Sequence, residues 1–595
     1  MSFPAQGPET GPSHGTRGTL LLVFLAAVAV YAPTLLGAFT NWDDPAYVLD
    51  NPDIRLETRA QWESALTTPR MATVGPVQIL SYAIDYRLWG LHPAGYHLTN
   101  ILLHGACAAL LWLVVRAITG LPRTATASAL LFALHPAGAE VVAWVSERKT
   151  LLCAAFMLAS LLAWLRAEGE RAWAMGLLSA ALFVLAAASK VAVAPFPVIL
   201  LALHVTTRVR PNAPRTAALI LCLGASVASG LATLHGHAME EGIHGIHGGS
   251  LSAHLRLMAV VFGRYGTKLL FPVRLSPYYD FQSSAITTPA VVLAAALAAA
   301  ALAGTLAALL RRREAGFWAA GAWLLWLPAS SLLVPISTPM ADRYLYLPML
   351  FLAPLAVTIL APRMPERDAR SARLLALLLA MFALLAAKQG TYWQSSLRLW
   401  SHAVRVEPGN PWVWQKRAYS LLEQGRAKAA IPDARRAVRL QPRWIEGWET
   451  LAQAALAAGE AGTAEEAFRQ ELGLAPNAVN AYRGIGRART MKGDPRAAIA
   501  AYARALDLKR DYRESAEDLA ALAREKGLER EALAALPDRP TSVWIELVRG
   551  DLLASLGRRA EAERTWREIL VTRPGFGPVL ERLHRQGATA APPSR

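Results

Sequence analysis

Two adjacent carboxylates, Asp43 and Asp44, follow the first long apolar run of the chain, in the segment "NWDDPAYVLDN". A carboxylate within hydrogen-bonding reach of a hydroxyl can remove its proton, and a neighbouring acid can orient the acceptor. Taken alone, Asp-Asp-Pro is more often a turn or a helix cap than a catalytic pair. Both interpretations stay open until the elements around the pair are considered.

Four basic residues stand at comparable positions, each beside the end of an apolar segment. They are Arg148 and Lys149 in "VSERKT", Lys190 in "AASKVAVAPF" and Arg343 in "ADRYLYLP". Guanidinium groups bind phosphate through paired hydrogen bonds, and ammonium groups bind it as point charges. The four residues are therefore candidate phosphate ligands, and the alternative is that they only flank or snorkel to the membrane surface.

Three acids accompany these cations in the sequence and are expected to support them. Asp342 is expected to orient Arg343, and Glu140 to pair with Arg148 or Lys149. Glu147 completes the set of supporting acids.

Metal ligation is a weaker hypothesis for the His-rich segment 235–254. Its Gly-rich spacing fixes no shared face, and no Cys joins the histidines. A loop that closes over substrate is the favoured interpretation of this segment. No metal site and no cofactor are predicted. Binding of a divalent ion is the alternative. The three cysteines all lie in apolar runs and are interpreted as packing residues.

The elements that must position these residues are membrane helices. Hydrophobic residues make up 54% of the chain, which is too many for an ordinary soluble protein, and a span needs about 20 apolar residues. We predict a cytoplasmic tail at 1–17 and a polytopic membrane domain at 18–388 with outside loops 39–95 and 235–288. About eleven spans are expected, near 18–38, 97–115, 124–136, 150–165, 172–188, 191–207, 216–234, 289–310, 316–335, 344–361 and 373–388.

The charges of the connecting loops predict the orientation of these spans. With Arg17 cytoplasmic, the basic clusters at 208–215, 311–313 and 363–373 all fall on the cytoplasmic side. This requires that the amphipathic segment 253–275 lies in the interface and does not cross. The paired acids and the four cations then share the outer side. The formal charge of +17 is attributed to topology signals and anionic lipid, not to nucleic acid.

Internal repeats fill the remainder of the chain. Pro408, Pro442 and Pro476 recur every 34 residues, with a Gly-containing turn between them, as is typical of paired antiparallel helices. We predict a repeat domain at 389–585, with residues 397–408 as half of a starting unit, and a disordered tail at 586–595. Such repeats form a binding groove for an acceptor or partner; a spacer or dimerisation arm is the alternative.

Taken together, these segments resemble the transmembrane and tetratricopeptide-repeat O-mannosyltransferases and their bacterial relatives. The resemblance implies an all-α fold, in which a polytopic GT-C type membrane helix bundle precedes a tetratricopeptide-repeat α-solenoid. It implies transfer of a sugar, typically mannose, from a polyprenyl-phosphate donor to Ser or Thr hydroxyls. Related enzymes carry an Asp-Glu pair whose first acid is catalytic, which favours Asp43 over Asp44 as the base.

The Ala- and Arg-rich composition indicates a bacterial inner membrane, with the N-terminus cytoplasmic and the repeats periplasmic. Three other functions are weighed against protein glycosylation. They are a non-catalytic membrane scaffold for envelope assembly, a flippase for lipid-linked sugar, and sugar transfer to a lipid or glycan acceptor.

Overall fold

The computed structural model describes residues 14–71, 74–207, 209–239, 246–281, 286–311, 313–333, 335–360, 369–537 and 542–585. The chain divides into two compact units, Met1–Glu407 and Pro408–Arg595. The described residues form helices and no β-strand. Most of the predicted N-terminal tail and all of the predicted tail at 586–595 lie outside the described residues.

The described residues of the first unit form sixteen α-helices, with short 3₁₀ turns and one π-helical turn, Pro45–Leu49, between them. They are α1 His14–Tyr31, α2 Arg59–Thr67, α3 Pro76–Trp89, α4 Pro93–Thr119, α5 Pro122–Ala133, α6 Ala139–Ala143, α7 Arg148–Leu165, α8 Ala172–Ser189, α9 Phe196–Thr206, α10 Ala213–Met239, α11 Leu251–Leu270, α12 Thr288–Leu310, α13 Glu314–Trp326, α14 Tyr346–Leu360, α15 Ala369–Tyr392 and α16 Ser396–Val406.

Within the described part of the chain, eight helical segments are long and apolar enough to cross a membrane. They are Gly15–Leu36, Pro93–Thr119, Val145–Leu165, Gly169–Ser189, Ala213–Gly236, Thr288–Leu310, Asp342–Leu360 and Ala369–Tyr392. Each coincides with one predicted span. The chain is therefore a multi-pass membrane protein.

The other three predicted spans coincide with the short helices α5, α9 and α13, which have 12, 11 and 13 residues. A helix rises about 1.5 Å per residue, so none of them alone reaches across a hydrocarbon core of about 30 Å. α5 and the segment Pro136–Ala143 are bent by 55° and count as one further span if taken together. The prediction of eleven crossings thus stays a prediction.

The ends of α1 and α15 lie close together. The N–H of Ala38 donates to the carbonyl of Gln394 at 3.0 Å, and the N–H of Asn41 donates to Ser396 Oγ at 2.9 Å. The chain therefore leaves α1 and α15 at the same end of the bundle. The predicted odd number of crossings agrees with these contacts and stays a prediction.

Helix α11 contacts the connection between α13 and α14 near both of its ends. His254 near its start hydrogen-bonds the carbonyl of Ser331 at 3.0 Å, and the hydroxyl of Tyr265 near its end donates to the carbonyl of Ala341 at 3.1 Å. Ser331 and Ala341 both belong to that connection. The lateral placement of 253–275 in the interface stays a prediction.

The second unit is a series of helical hairpins. It contains α17 Pro411–Glu423, α18 Ala427–Leu440, α19 Ile445–Ala457, α20 Ala461–Leu474, α21 Val479–Met491, α22 Pro495–Leu508, α23 Arg513–Lys526, α24 Glu529–Ala535, α25 Val543–Ser555, α26 Arg559–Thr572 and α27 Gly577–Arg585. Gly425, Gly459 and Gly493 adopt φ between 70° and 84° where the first helix of a pair ends, a conformation that favours glycine. The predicted all-α fold, a membrane helix bundle followed by a repeat solenoid, is confirmed.

Glu471 is a buried acid at a position of the 34-residue register that alanine fills on either side. Ala437 and Ala505 are fully buried at equivalent positions of neighbouring repeats, and Glu471 stands between them at the same position. The Glu471 side chain is 3% exposed, and its Oε2 atom has no hydrogen-bond partner. An ionisable group therefore occupies a position that neighbouring repeats fill with alanine.

The boundary between the units lies after Glu407, later than the predicted boundary at residue 388. Residues 397–408, predicted as half of a starting repeat, correspond to α16. Leu399, Trp400, Ala403 and Val404 of this helix are buried. The helix contacts loops of the first unit, since Trp400 packs on Trp42 and His402 bonds to the Leu275 carbonyl.

Candidate active site

The carboxylate of Glu147 lies at the centre of three of the four predicted cations. It is 3.2 Å from Lys190 Nζ, 3.8 Å from Lys149 Nζ and 3.7 Å from Arg343 Nε. The Thr150 hydroxyl donates to Glu147 and accepts a 2.7 Å hydrogen bond from Lys190 Nζ. Glu147 is 3% exposed, whereas the three cations keep 11–19% of their side-chain surface. The structure thus brings Lys149, Lys190 and Arg343 together around one buried acid.

Helix ends position these side chains. Glu147 closes a 3₁₀ turn and directly precedes α7, where the helix N-terminus favours negative charge. Lys190 caps the C-terminus of α8 with extended backbone, where positive charge is favoured. Burial lowers the pKa of Lys190, and the charge of Glu147 opposes that shift. Arg343 lies in a 3₁₀ turn that leads into α14.

Arg343 is oriented by Glu140 of α6. Its Nη1 is 2.6 Å from Glu140 Oε1, and its backbone N–H donates to Glu140 Oε2 at 2.9 Å. The expectation that Glu140 pairs with Arg148 or Lys149 is therefore wrong. The reason is that Trp144 ends α6 with extended backbone, so residues 148–149 begin a separate helix that points elsewhere.

Asp342 holds a different loop. Its carboxylate accepts a 2.8 Å hydrogen bond from the Tyr279 hydroxyl and a 3.2 Å bond from the N–H of Ser276. It is 3% exposed. The expectation that Asp342 orients Arg343 is wrong, because its two oxygens are turned toward the segment after α11, and Glu140 fills the expected role.

Asp44 is a buried structural acid in this arrangement. Its Oδ2 accepts from the N–H and hydroxyl of Thr40 at 2.7 and 2.9 Å, and its Oδ1 accepts from the N–H and hydroxyl of Ser146 at 3.1 and 2.5 Å. Burial raises the pKa of Asp44, and these hydrogen bonds oppose the rise. At 1% exposure, the carboxylate ties the acidic loop to the turn that carries Glu147.

Asp43 has a different environment although it is the adjacent residue. It is half-buried, and its charge interacts with the ammonium of Lys149. The same ammonium lies 5.0 Å from the centroid of the Tyr47 ring. Of the two acids, Asp43 is the one that retains exposed surface beside the cations.

Arg148 is separated from the other three cations. It is fully buried, and its guanidinium lies 2.6 Å from Asp85 and donates to Asn100 Oδ1 at 2.8 Å and to the Tyr96 carbonyl at 2.9 Å. The guanidinium also stacks 4.6 Å from the centroid of the Tyr82 ring. These contacts leave no surface for a ligand, so the structure does not support phosphate binding by Arg148.

A group of tryptophans lies beside Arg343. The sequence analysis did not identify it. The Trp42 ring stacks on Trp144 with centroids 4.5 Å apart, and Trp144 stacks on Trp393 at 5.4 Å. Trp400 packs against Trp42 at 5.3 Å. The Arg343 guanidinium lies 5.6 and 5.7 Å from the Trp42 and Trp144 centroids. The position of Trp42 and Trp144 within the motifs "NWDDP" and "AWVSERK" was the available signal.

Three cations, a half-buried acid and an aromatic wall therefore meet at one end of the helix bundle. Positive groups that retain exposed surface can bind a phosphate, and an adjacent carboxylate can accept a proton from a hydroxyl. Among the described residues, no three His, Cys, Asp or Glu side chains are grouped so as to hold a metal ion. Residues 240–245 of the His-rich segment lie outside the described residues.

A family model described as dolichyl-phosphate-mannose-protein mannosyltransferase matches residues 75–230. The chain is similar to protein O-mannosyl-transferase TMTC4 of Homo sapiens, with 33% identity over 172 residues that cover 25% of this chain and 23% of that protein. It is also similar to TMTC3 of Mus musculus, with 31% identity over 156 residues, covering 25% of this chain and 17% of that protein. The match spans less than a quarter of these curated relatives. The resemblance to this family is confirmed.

Two solved structures align with parts of this chain. The crystal structure of MamA aligns with 28% of this chain and 89% of its own, at 19% identity and a TM-score of 0.23. The archaeal oligosaccharyltransferase AglB from Archaeoglobus fulgidus, in complex with an inhibitory peptide and a dolichol-phosphate, aligns with 64% of this chain and 55% of its own, at 14% identity and a TM-score of 0.36.

Proposed function

We propose that this protein is a membrane glycosyltransferase. It would move a sugar, mannose, from a polyprenyl-phosphate donor to Ser or Thr hydroxyls of extracytoplasmic proteins. The observation that carries the proposal is the convergence of Lys149, Lys190 and Arg343 on the single buried carboxylate of Glu147, beside the half-buried Asp43.

The exposed surface of the three cations suits a departing phosphate. Glu140 and Glu147 lie in ion-pair contact with Lys149, Lys190 and Arg343 and hold them in one cluster. Each cation still keeps 11–19% of its side-chain surface, so its remaining donors can bind a lipid phosphate. Hydrogen bonds and charges that stabilise a leaving phosphate lower the barrier for transfer most when they are held in place beforehand.

Asp43 supplies the base in this mechanism. The acceptor hydroxyl oxygen attacks C1 of the sugar, the bond between C1 and the phosphate oxygen breaks, and the hydroxyl proton moves to Asp43. Asp44 does not take part directly, because both of its oxygens accept hydrogen bonds from Thr40 and Ser146. Its role is to hold the acidic loop beside the turn of Glu147.

The position of the site at the ends of apolar helices suits a lipid-linked donor. The prenyl chain of such a donor stays in the bilayer while its phosphate lies at the surface, where charged residues cost less than in the hydrocarbon core. The repeat unit would recruit the acceptor protein or a partner. The membrane would be a bacterial inner membrane, with the site on its periplasmic side.

The test compares glycosylation in a deletion strain complemented with wild-type protein, Asp43→Asn, or Asp50→Asn. Asp50 is an exposed acid of the same segment and serves as the matched control. Mass spectrometry of periplasmic and membrane proteins should find hexose-modified Ser or Thr peptides with the wild type and with Asp50→Asn, and none with Asp43→Asn at equal protein levels. Modified peptides that persist in the deletion strain would contradict the proposal.

A further inference from the structure

Helix α16, the last helix before the repeat unit, contacts the loop that carries Asp43. Ser396 Oγ at its start accepts a 2.9 Å hydrogen bond from the N–H of Asn41, and Trp400 Nε1 donates to Asn41 Oδ1 at 3.0 Å. The backbone N–H and the side-chain oxygen of Asn41, which lies two residues before Asp43, are thus both bound by one face of α16.

The same helix contacts the loop on the other side of the site. His402 Nε2 donates to the Leu275 carbonyl at 2.8 Å, and burial lowers the pKa of His402, which keeps the ring neutral. The next residue, Ser276, donates its N–H to Asp342, the neighbour of Arg343. α16 is therefore linked to both the acid side and the phosphate side of the candidate site.

Apolar packing alone would hold α16 against the bundle without fixing these loops. Leu399, Ala403 and Val404 are buried and supply that packing. The hydrogen bonds to Asn41 and Leu275 add direction, because each joins a side chain of α16 to one atom of a loop that has no regular structure of its own. They define where each loop lies along the helix axis.

We propose that α16 is a positioning element of the site, with Ser396 and Trp400 setting the placement of Asp43 and His402 setting that of Arg343. This inference rests on the proposed function. It means that the membrane helices preceding α16 do not form a complete active site, since both loops of the site depend on a helix that follows the last span.

The test uses full-length protein in native membranes, with polyprenyl-phosphate mannose as donor and endogenous membrane proteins as acceptors. The double variant Ser396→Ala/Trp400→Phe should lower kcat by about tenfold, as a displaced catalytic group does, and should move the acid limb of the pH–rate profile. The donor KM should stay within about twofold, since the three cations keep their contacts. The single variant Ser396→Thr keeps the hydroxyl and should therefore have the activity of the wild type.

His402 is tested separately. His402→Phe keeps the ring that stacks on Tyr392 but removes the donor to Leu275, and should raise the donor KM more than it lowers kcat. Arg405→Gln, an exposed residue of the same helix whose side chain bonds only to its own helix at Ser401, is the matched control and should behave as wild type.

Two results would overturn the role of α16. One is that the variants lose activity only in proportion to the folded protein recovered, with unchanged pH profile and KM. The other is that they are indistinguishable from wild type while Asp43→Asn is inactive. A fully active Asp43→Asn protein would instead overturn the role of Asp43 as the base, and this inference with it. An absence of mannose transfer by the wild-type protein would overturn the proposed function itself.

Discussion

The two adjacent aspartates should fail in different ways when each is changed to asparagine. Asp43→Asn removes the proposed base, and loss of a general base lowers rates by about 10²–10⁴-fold. The half-buried Asp43 is not the anchor of the acidic loop, so its amide should leave the folded state intact. We expect a large fall in kcat with an unchanged melting temperature.

Asp44→Asn should chiefly destabilise. Its carboxylate accepts from two backbone N–H groups and two hydroxyls, and an amide presents its NH₂ to one of these pairs. The hydroxyl of that pair can rotate to become an acceptor, but the N–H cannot, so one buried donor loses its partner at a cost of about 1–3 kcal/mol. We expect a lower melting temperature, with kcat per folded molecule reduced much less than in Asp43→Asn.

Two measurements are compared. Thermal unfolding of detergent-solubilised protein is monitored by size-exclusion chromatography, and activity is measured as mannose transfer from a polyprenyl-phosphate donor. Asp50→Asn controls for loss of a negative charge in the same segment. The reasoning is refuted if Asp44→Asn keeps the wild-type melting temperature and loses kcat by about a hundredfold while Asp43→Asn stays active, because the base would then be Asp44.

Three further outcomes are expected. Arg148→Met should lower the melting temperature, because it leaves the buried Asp85 carboxylate without its partner at a cost of about 3–5 kcal/mol; a change in donor KM with unaltered stability would contradict this. Lys190→Arg should extend kcat/KM to higher pH, because burial lowers the pKa of Lys190 and its positive charge is lost earlier on the alkaline side; an unchanged alkaline limb would argue against phosphate binding by this residue. Burial raises the pKa of Glu471 from 4.5 to about 7, so the folded state binds this proton more tightly and wild-type stability falls as pH rises across that range. Glu471→Ala should therefore stabilise the repeat unit more at pH 8 than at pH 4, by about 2–3 kcal/mol at about 1.4 kcal/mol per pH unit, and equal effects at both pH values would refute the burial argument.

The fold was largely predictable because a bilayer imposes simple rules on sequence. Eight apolar runs of sufficient length coincide with long helices, and the 34-residue spacing of Pro408, Pro442 and Pro476 marks the helical hairpins. Helix length was harder to predict at 124–136, because the interruption at His135–Pro136 is a bend whose angle depends on tertiary packing. The boundary after Glu407 was not predicted, because the sequence of α16 resembles the second helix of a repeat.

The site was predictable in its location more than in its contacts. Counting loop charges grouped Lys149, Lys190 and Arg343, which do lie together. It also included Arg148, but successive helical residues point about 100° apart, so Arg148 and Lys149 diverge at the start of α7. The central place of Glu147 depends on three helix ends that converge only in the folded chain, and no local pattern in the sequence reveals it.

The contact between Asn41 and Ser396 joins residues separated by 355 positions in the chain, and this has a consequence for biogenesis. The first span enters the membrane early in synthesis, yet the loop behind it waits for the last span and α16 before it reaches its final place. Chains emerge N-terminus first at about 5–20 residues per second, so this loop reaches its final place only after the whole membrane unit has been inserted. On the proposed function, a nascent or prematurely terminated protein would therefore not transfer sugar to hydroxyls at the membrane surface.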